Sequence, residues 1–151
     1  MKLMIIKSRR VLHLLENEKS RFVCPIALGR EPLGTKKMEG DGKTPEGIYH
    51  ICLVKADGKY GRSLGLDYPS AQDAMSAFNE GRIDEQTLEA INLAHAQSRR
   101  PPWGTPLGGE IYIHEGGTDS DWTAGCIAVS PSDMDEIYPI WERITQVVIV
   151  A

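Results

Sequence analysis

The residues whose types and spacing could do chemistry lie in one stretch of the chain, IYIHEGGTDSDWTAGCIAVSPSDMDEIY. His114 closes one apolar run and Cys126 opens another, twelve positions later, across a loop of Gly, Thr, Asp and Ser. A helix would put the two on unrelated turns, whereas a reversing loop between two strands can bring both to one sheet end. A thiol is only a few per cent ionised at neutral pH, so a nucleophilic cysteine needs a nearby imidazole or dipole and a base to handle protons. His114 is the histidine placed for that role. Gly125 lets the backbone turn tightly and lets a substrate carbonyl approach the main chain, where the Cys126 N–H and neighbouring amides would form an oxyanion hole, with Thr123 as support. The competing reading is that Cys126 is a small buried hydrophobe.

The elements that must position these residues read mainly as β. Apolar and β-branched runs at 3–6, 11–15, 22–28 and 48–54 are separated by polar or glycine-rich turns and predict antiparallel strands, with Glu16 to Lys19 as a hairpin connection. Gly29 to Gly47 holds five glycines and two prolines and predicts a long ordered loop of the kind that often carries function. Ala71, Ala74, Met75 and Phe78 recur at helical spacing up to Gly81. A second helix follows, with Asp84 as N-cap, Ile83 and Leu88 as a hydrophobic staple, and Pro101-Pro102 ending the pattern. These give a helical hairpin inserted at about 71–100. Strands are predicted at 111–114, 126–129 and 147–150, with a short helix between the last two that starts at Ser130-Pro131 and is limited by Pro139. There is no internal repeat, and residues 1–151 read as a single catalytic domain.

Composition narrows the partners. A net charge of -4 gives no general pull toward phosphate backbones or anionic lipid, so nucleic acid is not expected. Lys36-Lys37 and Arg99-Arg100 are short basic pairs and read as solvated surface. Three cysteines, without CxxC spacing, predict neither a disulfide framework nor a zinc finger. Cys24 and Cys52 read as packing residues, and His13, His50 and His95 as surface or satisfied core groups. Asp119, Asp121 and Asp133 lack the pattern of a calcium loop, and no metal site is expected. The N-terminal apolar run, broken by Lys7 to Arg10, is too short for a signal sequence or a membrane span.

Over nearly its whole length the chain resembles the catalytic domain of the L,D-transpeptidase (YkuD-type) family. The resemblance is carried in order by VLHLLENEKSRFVCPIALG, EGDGKTPEGIY, IYIHEGG and TAGCIAVS. It implies a β-sandwich acting on peptidoglycan stem peptides from the periplasm or cell envelope, with Cys126 as nucleophile, His114 as base, Gly125 and Thr123 as support, and Gly116, Trp122 and Lys43 in substrate binding. No organic cofactor is needed. Departures from the common pattern are Ala124, where the family has His before the Gly-Cys pair, Ala128, where it has Arg, and Glu115, where Gly usually follows the first His. The missing arginine would ordinarily hold a carboxylate through paired hydrogen bonds. Lys43, Arg62 and Arg30 are the candidate replacements. Cross-linking, carboxypeptidase or amidase hydrolysis, a non-catalytic wall-binding module and a redox thiol protein all stay open at this point.

Overall fold

The computed structural model describes residues 1–151 and consists of two sheets, three α-helices and two short 3-10 turns. The first sheet holds β1 (Lys2–Ile6), β2 (Val11–Glu16), β3 (Lys19–Pro25), β4 (Gly47–Tyr49) and β9 (Gln146–Val150), in the order β3-β2-β1-β9-β4. The second holds β5 (Ile51–Gly58), β6 (Gly61–Leu66), β7 (Tyr112–Glu115) and β8 (Ile127–Val129), in the order β5-β6-β7-β8. Strand alternation builds the core. Leu3 and Ile5, Leu12 and Leu14, and Val147 and Ile149 point inward from the first sheet and meet Leu64, Leu66, Ile113, Ile127 and Val129 from the second. Mainly β architecture, two sheets and few helices follow.

The structure departs from the sequence expectations in four places. The single strand expected at 48–54 is two, because the chain crosses from one sheet to the other at His50. The run at 22–28 leaves the ladder after Pro25 and continues only through isolated bridges from Ala27 and Gly29. Not all neighbours are antiparallel: β9 runs parallel to β1, and β8 parallel to β7. Strand β6, GRSLGL, was not expected at all. Its Gly65 lies so close under Tyr112 and Leu53 that a Cβ there would stand 3.0 and 3.1 Å from them, which is why a glycine occupies the middle of a strand.

The helices form as their caps dictate. In α1 (Ala71–Asn79) Ser70 and Asp73 form a reciprocal capping box, and in α2 (Glu85–Ala96) the Asp84 side chain accepts from Thr87 N–H. Ile83 and Leu88 pack together in a small separate core with Ala74, Ala77, Ile91 and Leu107. Ser130 caps α3 (Pro131–Ile137) at Asp133 N–H. The 29–47 loop is anchored from below by Lys7, whose buried ammonium donates to Gly34 O (2.8 Å), Thr44 O (2.7 Å) and Glu46 Oε2 (3.0 Å). All three protons are used, which makes this buried charge tolerable.

Candidate active site

Cys126 immediately precedes β8 and His114 lies within β7, so two adjacent parallel strands carry the pair. The turn before the cysteine is closed by Thr123. Its hydroxyl donates to Cys126 O at 2.7 Å and accepts from Gly125 N–H at 3.1 Å. Gly125 has φ 138 and a Cβ there would stand 2.8 Å from Lys43 O, so only glycine fits. On the other side Gly29 presses so closely against Gly42 that a Cβ would collide with its carbonyl. Gly29 N–H donates to Thr44 Oγ1 at 3.0 Å. The long loop is thereby locked against the cysteine turn, backbone to backbone.

Around the sulfur the partners are main-chain atoms. Tyr112 N–H donates to Cys126 Sγ at 3.3 Å, and the thiol reaches Glu110 O at 3.4 Å. Glu110 adopts a left-handed backbone, φ 56, which a non-glycine residue takes only at a cost. Neither Ala124 N–H nor Cys126 N–H is hydrogen-bonded to the protein. Burial raises the Cys126 thiol above its ordinary range, with the Tyr112 N–H working against that rise.

His114 is only 2% exposed. Its Nδ1 donates to Glu115 O at 2.8 Å, which fixes the tautomer and leaves Nε2 as the basic nitrogen. Tyr60 stacks on the ring at 4.6 Å and 21°, and Trp122 meets it edge-on at 5.6 Å. Burial lowers its basicity, partly offset by the Glu115 carbonyl. Burial thus favours the neutral form of both the thiol and the imidazole, and no hydrogen bond joins them. Tyr60 is itself held: Glu115 accepts from Arg62 N–H at 2.5 Å and from its guanidinium at 3.0 Å, tying down the β5–β6 turn.

His114 and Cys126 line one cavity of about 220 Å³ with Lys55, Lys59, Tyr60 and Tyr112. Cys126 and Glu110 also border a second, of about 160 Å³, lined by Arg30, Lys36 and Glu39. The family model for the L,D-transpeptidase catalytic domain matches residues 2–149.

The chain belongs to the L,D-transpeptidase catalytic-domain family.

No curated protein sequence matches it. Among solved structures it is similar to the helical cell shape determining protein Pgp2 of Campylobacter jejuni, as a K307A mutant, with TM-score 0.67 and 24% identity over 97% of this chain and 45% of that one. It is also similar to Bdellovibrio bacteriovorus Bd1075, with TM-score 0.60 and 18% identity over 99% and 47%. An L,D-transpeptidase of Xylanimonas cellulosilytica follows at TM-score 0.55 and 11% identity over 98% and 59%. The chain spans less than half the length of the first two. At these identities the likeness is one of fold.

Within this L,D-transpeptidase fold the remaining predicted residues fall in different places. Trp122 packs over Gly116 and donates to Gly117 O at 2.8 Å, so its contacts here are with the His114 side of the site. Lys43 directs its ammonium to Leu33 O at 2.7 Å. Arg62 is taken up by Glu115, Asp135 and Pro131 O. Of the three candidate cations, Arg30 alone lines a cavity with Cys126. Ala128, at the position of the family's arginine, is fully buried. Lys36, expected on the solvated surface, is only 5% exposed and donates to Met38 O and Asp41, a correction explained by the ion pair that neutralises it in the loop. Tyr60, Glu110 and Tyr112 carried no sequence signal, since two of them contribute through the backbone and the third through a hairpin remote in the chain. No helix is long and apolar enough to cross a membrane.

Proposed function

We propose that this domain is a cysteine acyltransferase acting on peptidoglycan stem peptides in the cell envelope. What carries the reading is a single cavity bordered by a glycine-turn cysteine and an imidazole whose tautomer is fixed by a backbone carbonyl. Attack forms an Sγ–C bond at the carbonyl of an L-centred residue. The thiol proton passes to His114 Nε2 as the sulfur adds, because burial favours the neutral form of both groups. The free N–H groups of Cys126 and Ala124 receive the oxyanion, while Gly125 N–H is already committed to Thr123. Collapse breaks the C–N bond, and Nε2 returns the proton to the departing amine, leaving a thioester. An incoming amine gives transpeptidation; water gives carboxypeptidase action.

Lys55 and Lys59 border the His114 cavity and suit a departing amino acid that carries a free carboxylate. The two outcomes separate by product. Tetrapeptide muropeptides are incubated with and without excess amine acceptor, and dimers, exchanged monomers and shortened peptides are quantified. Dimers or exchange products that rise with acceptor are expected of a transpeptidase. Shortened peptides indifferent to acceptor would replace that assignment with hydrolysis, and absence of any product would remove both.

A further inference from the structure

A cavity of about 900 Å³, larger than either of those at the thiol, lies between the start of β5 and the end of α2. Neither Cys126 nor His114 borders it. Its apolar wall is Ile51, Cys52, Leu53 and Val54 from β5, together with Trp141. The one carboxylate in the lining, Asp67, is already satisfied, since it accepts from His50 N–H at 2.7 Å and lies 3.1 Å from the His50 ring. His95 is taken up as well, by Pro69 O at 2.7 Å.

The charge left over is positive. Arg99 and Arg100, a basic pair that reads as solvated surface in the sequence, border this cavity, and neither has an ion-pair partner. Their placement is built into the end of α2. Ser98 N–H donates to His95 O at 3.1 Å and Arg99 N–H to Ala94 O at 2.8 Å, the double closure that ends a helix through a left-handed residue. That residue is Ser98, φ 51, where glycine would be less strained. The Arg100 guanidinium rests on the Trp103 ring at 4.6 Å, and Trp103 is pinned by its own bond to Tyr68 O at 3.0 Å.

The strand beside them is an open edge. β5 ends its sheet, so alternate residues turn their N–H and C=O away from β6, and a bulge between Ile51 and Leu53 leaves Cys52 with no partner there. Main-chain donors and acceptors, an apolar wall and two unpaired guanidinium groups together suit an extended chain that carries a carboxylate. In a protein of net charge -4, this local excess of cations sets the sign of the partner. We infer that the cavity is a docking site for an extended, carboxylate-bearing peptide segment of another protein, which adds as a strand to the β5 edge and gives its carboxylate to Arg99 and Arg100. The site stands apart from Cys126, and its occupation does not require turnover.

The test uses three N-acetylated hexapeptides of alternating serine and valine: one with a free C-terminal carboxylate, one amidated, and one amidated with glutamate as its last residue. Binding to the whole chain is measured by calorimetry and mapped by amide NMR shifts. At least one carboxylate peptide is expected to bind about tenfold tighter than the plain amide, the worth of one charge-assisted contact, with shifts concentrated at 51–54 and 98–100. Tighter binding of the free acid identifies a chain terminus as the source of the carboxylate, and tighter binding of the glutamate peptide an acidic side chain. Arg99→Ala combined with Arg100→Ala should erase the preference; both arginines are exposed, so the fold is kept. N-methylation of every second peptide amide should abolish binding in one phase and spare it in the other, since only one set faces β5. No binding of any probe, a plain amide that binds as tightly as both carboxylate peptides, a preference that survives loss of both arginines, or indifference to the phase of N-methylation overturns the site.

Discussion

The two halves of the site are built on different principles. Cys126 is placed mainly by main-chain atoms: Tyr112 N–H, the Glu110 carbonyl, and a turn whose glycine leaves the Lys43 carbonyl where an added Cβ would stand 2.8 Å from it. His114, beyond the Glu115 carbonyl on its Nδ1, is enclosed by side chains, with Tyr60 and Trp122 on its ring and the Glu115–Arg62 pair securing the hairpin behind Tyr60. Backbone-built features tolerate no added atom and should fail in stability and activity together. A side-chain cage can lose a member and keep its fold, so its failures should appear in the proton chemistry.

The largest effect is expected at Gly29. A Cβ on this residue meets the Gly42 carbonyl and crowds the Gly125 Cα, so Gly29→Ala must part the two arms of the long loop where they meet the cysteine turn. A loss of about 3 kcal/mol or more in chemical denaturation, with loss of turnover, is expected. Thr123→Val comes next. It is nearly the same size but strands Gly125 N–H and the Cys126 carbonyl, both otherwise bonded to the hydroxyl. About 2 kcal/mol of stability should go, with reduced turnover. If either variant kept parental stability, the backbone half of the comparison would fail.

On the histidine side, Tyr60→Ala should cost about 1 kcal/mol, because the ring is already partly exposed. Its sharper effect is on protonation. Burial holds His114 below its ordinary value of 6.5, so uncovering the ring should raise it. The base acts only when neutral, and its protonated form then persists to higher pH. The acid limb of the activity profile should therefore move upward, and an imidazole NMR titration should move with it. An unmoved limb would mean that Tyr60 does not control the solvation of His114. Arg62→Gln should have the smallest stability effect, since the ion pairs it makes are partly solvated.

The same contrast governs what was legible in the sequence. A main-chain-built turn needs particular residues in a particular order, so Thr123, Gly125 and Cys126 announce themselves within four positions. Strand alternation made β1, β2 and β9 equally readable, and the caps of α2 and α3 were evident from Asp84 and Ser130. Tyr60 and Arg62 were not, because what matters is their pairing with residues more than fifty positions away. Lys36 misled for a related reason. A lysine reads as surface until the aspartate that neutralises it, here Asp41 across the loop, is known to lie beside it. Strand β6 escaped notice because its glycine serves packing against Tyr112 and Leu53 rather than a turn.

Burial of the pair also makes a prediction about reactivity. Because burial raises the Cys126 thiol, its alkylation by a small neutral reagent should be slow at pH 7 and climb steadily above pH 9, without a neutral plateau. A plateau reached near pH 6 would signal a preformed thiolate–imidazolium pair.

The measurement closest to the central claim is intact-mass analysis of the protein mixed with tetrapeptide muropeptide and quenched in acid, followed by peptide mapping. The account predicts an adduct with the mass of the acyl portion, located on the fragment containing Cys126, absent from Cys126→Ala and strongly slowed in His114→Gln. Turnover that proceeds unchanged in Cys126→Ala, or an adduct mapped to Cys24 or Cys52, would contradict it.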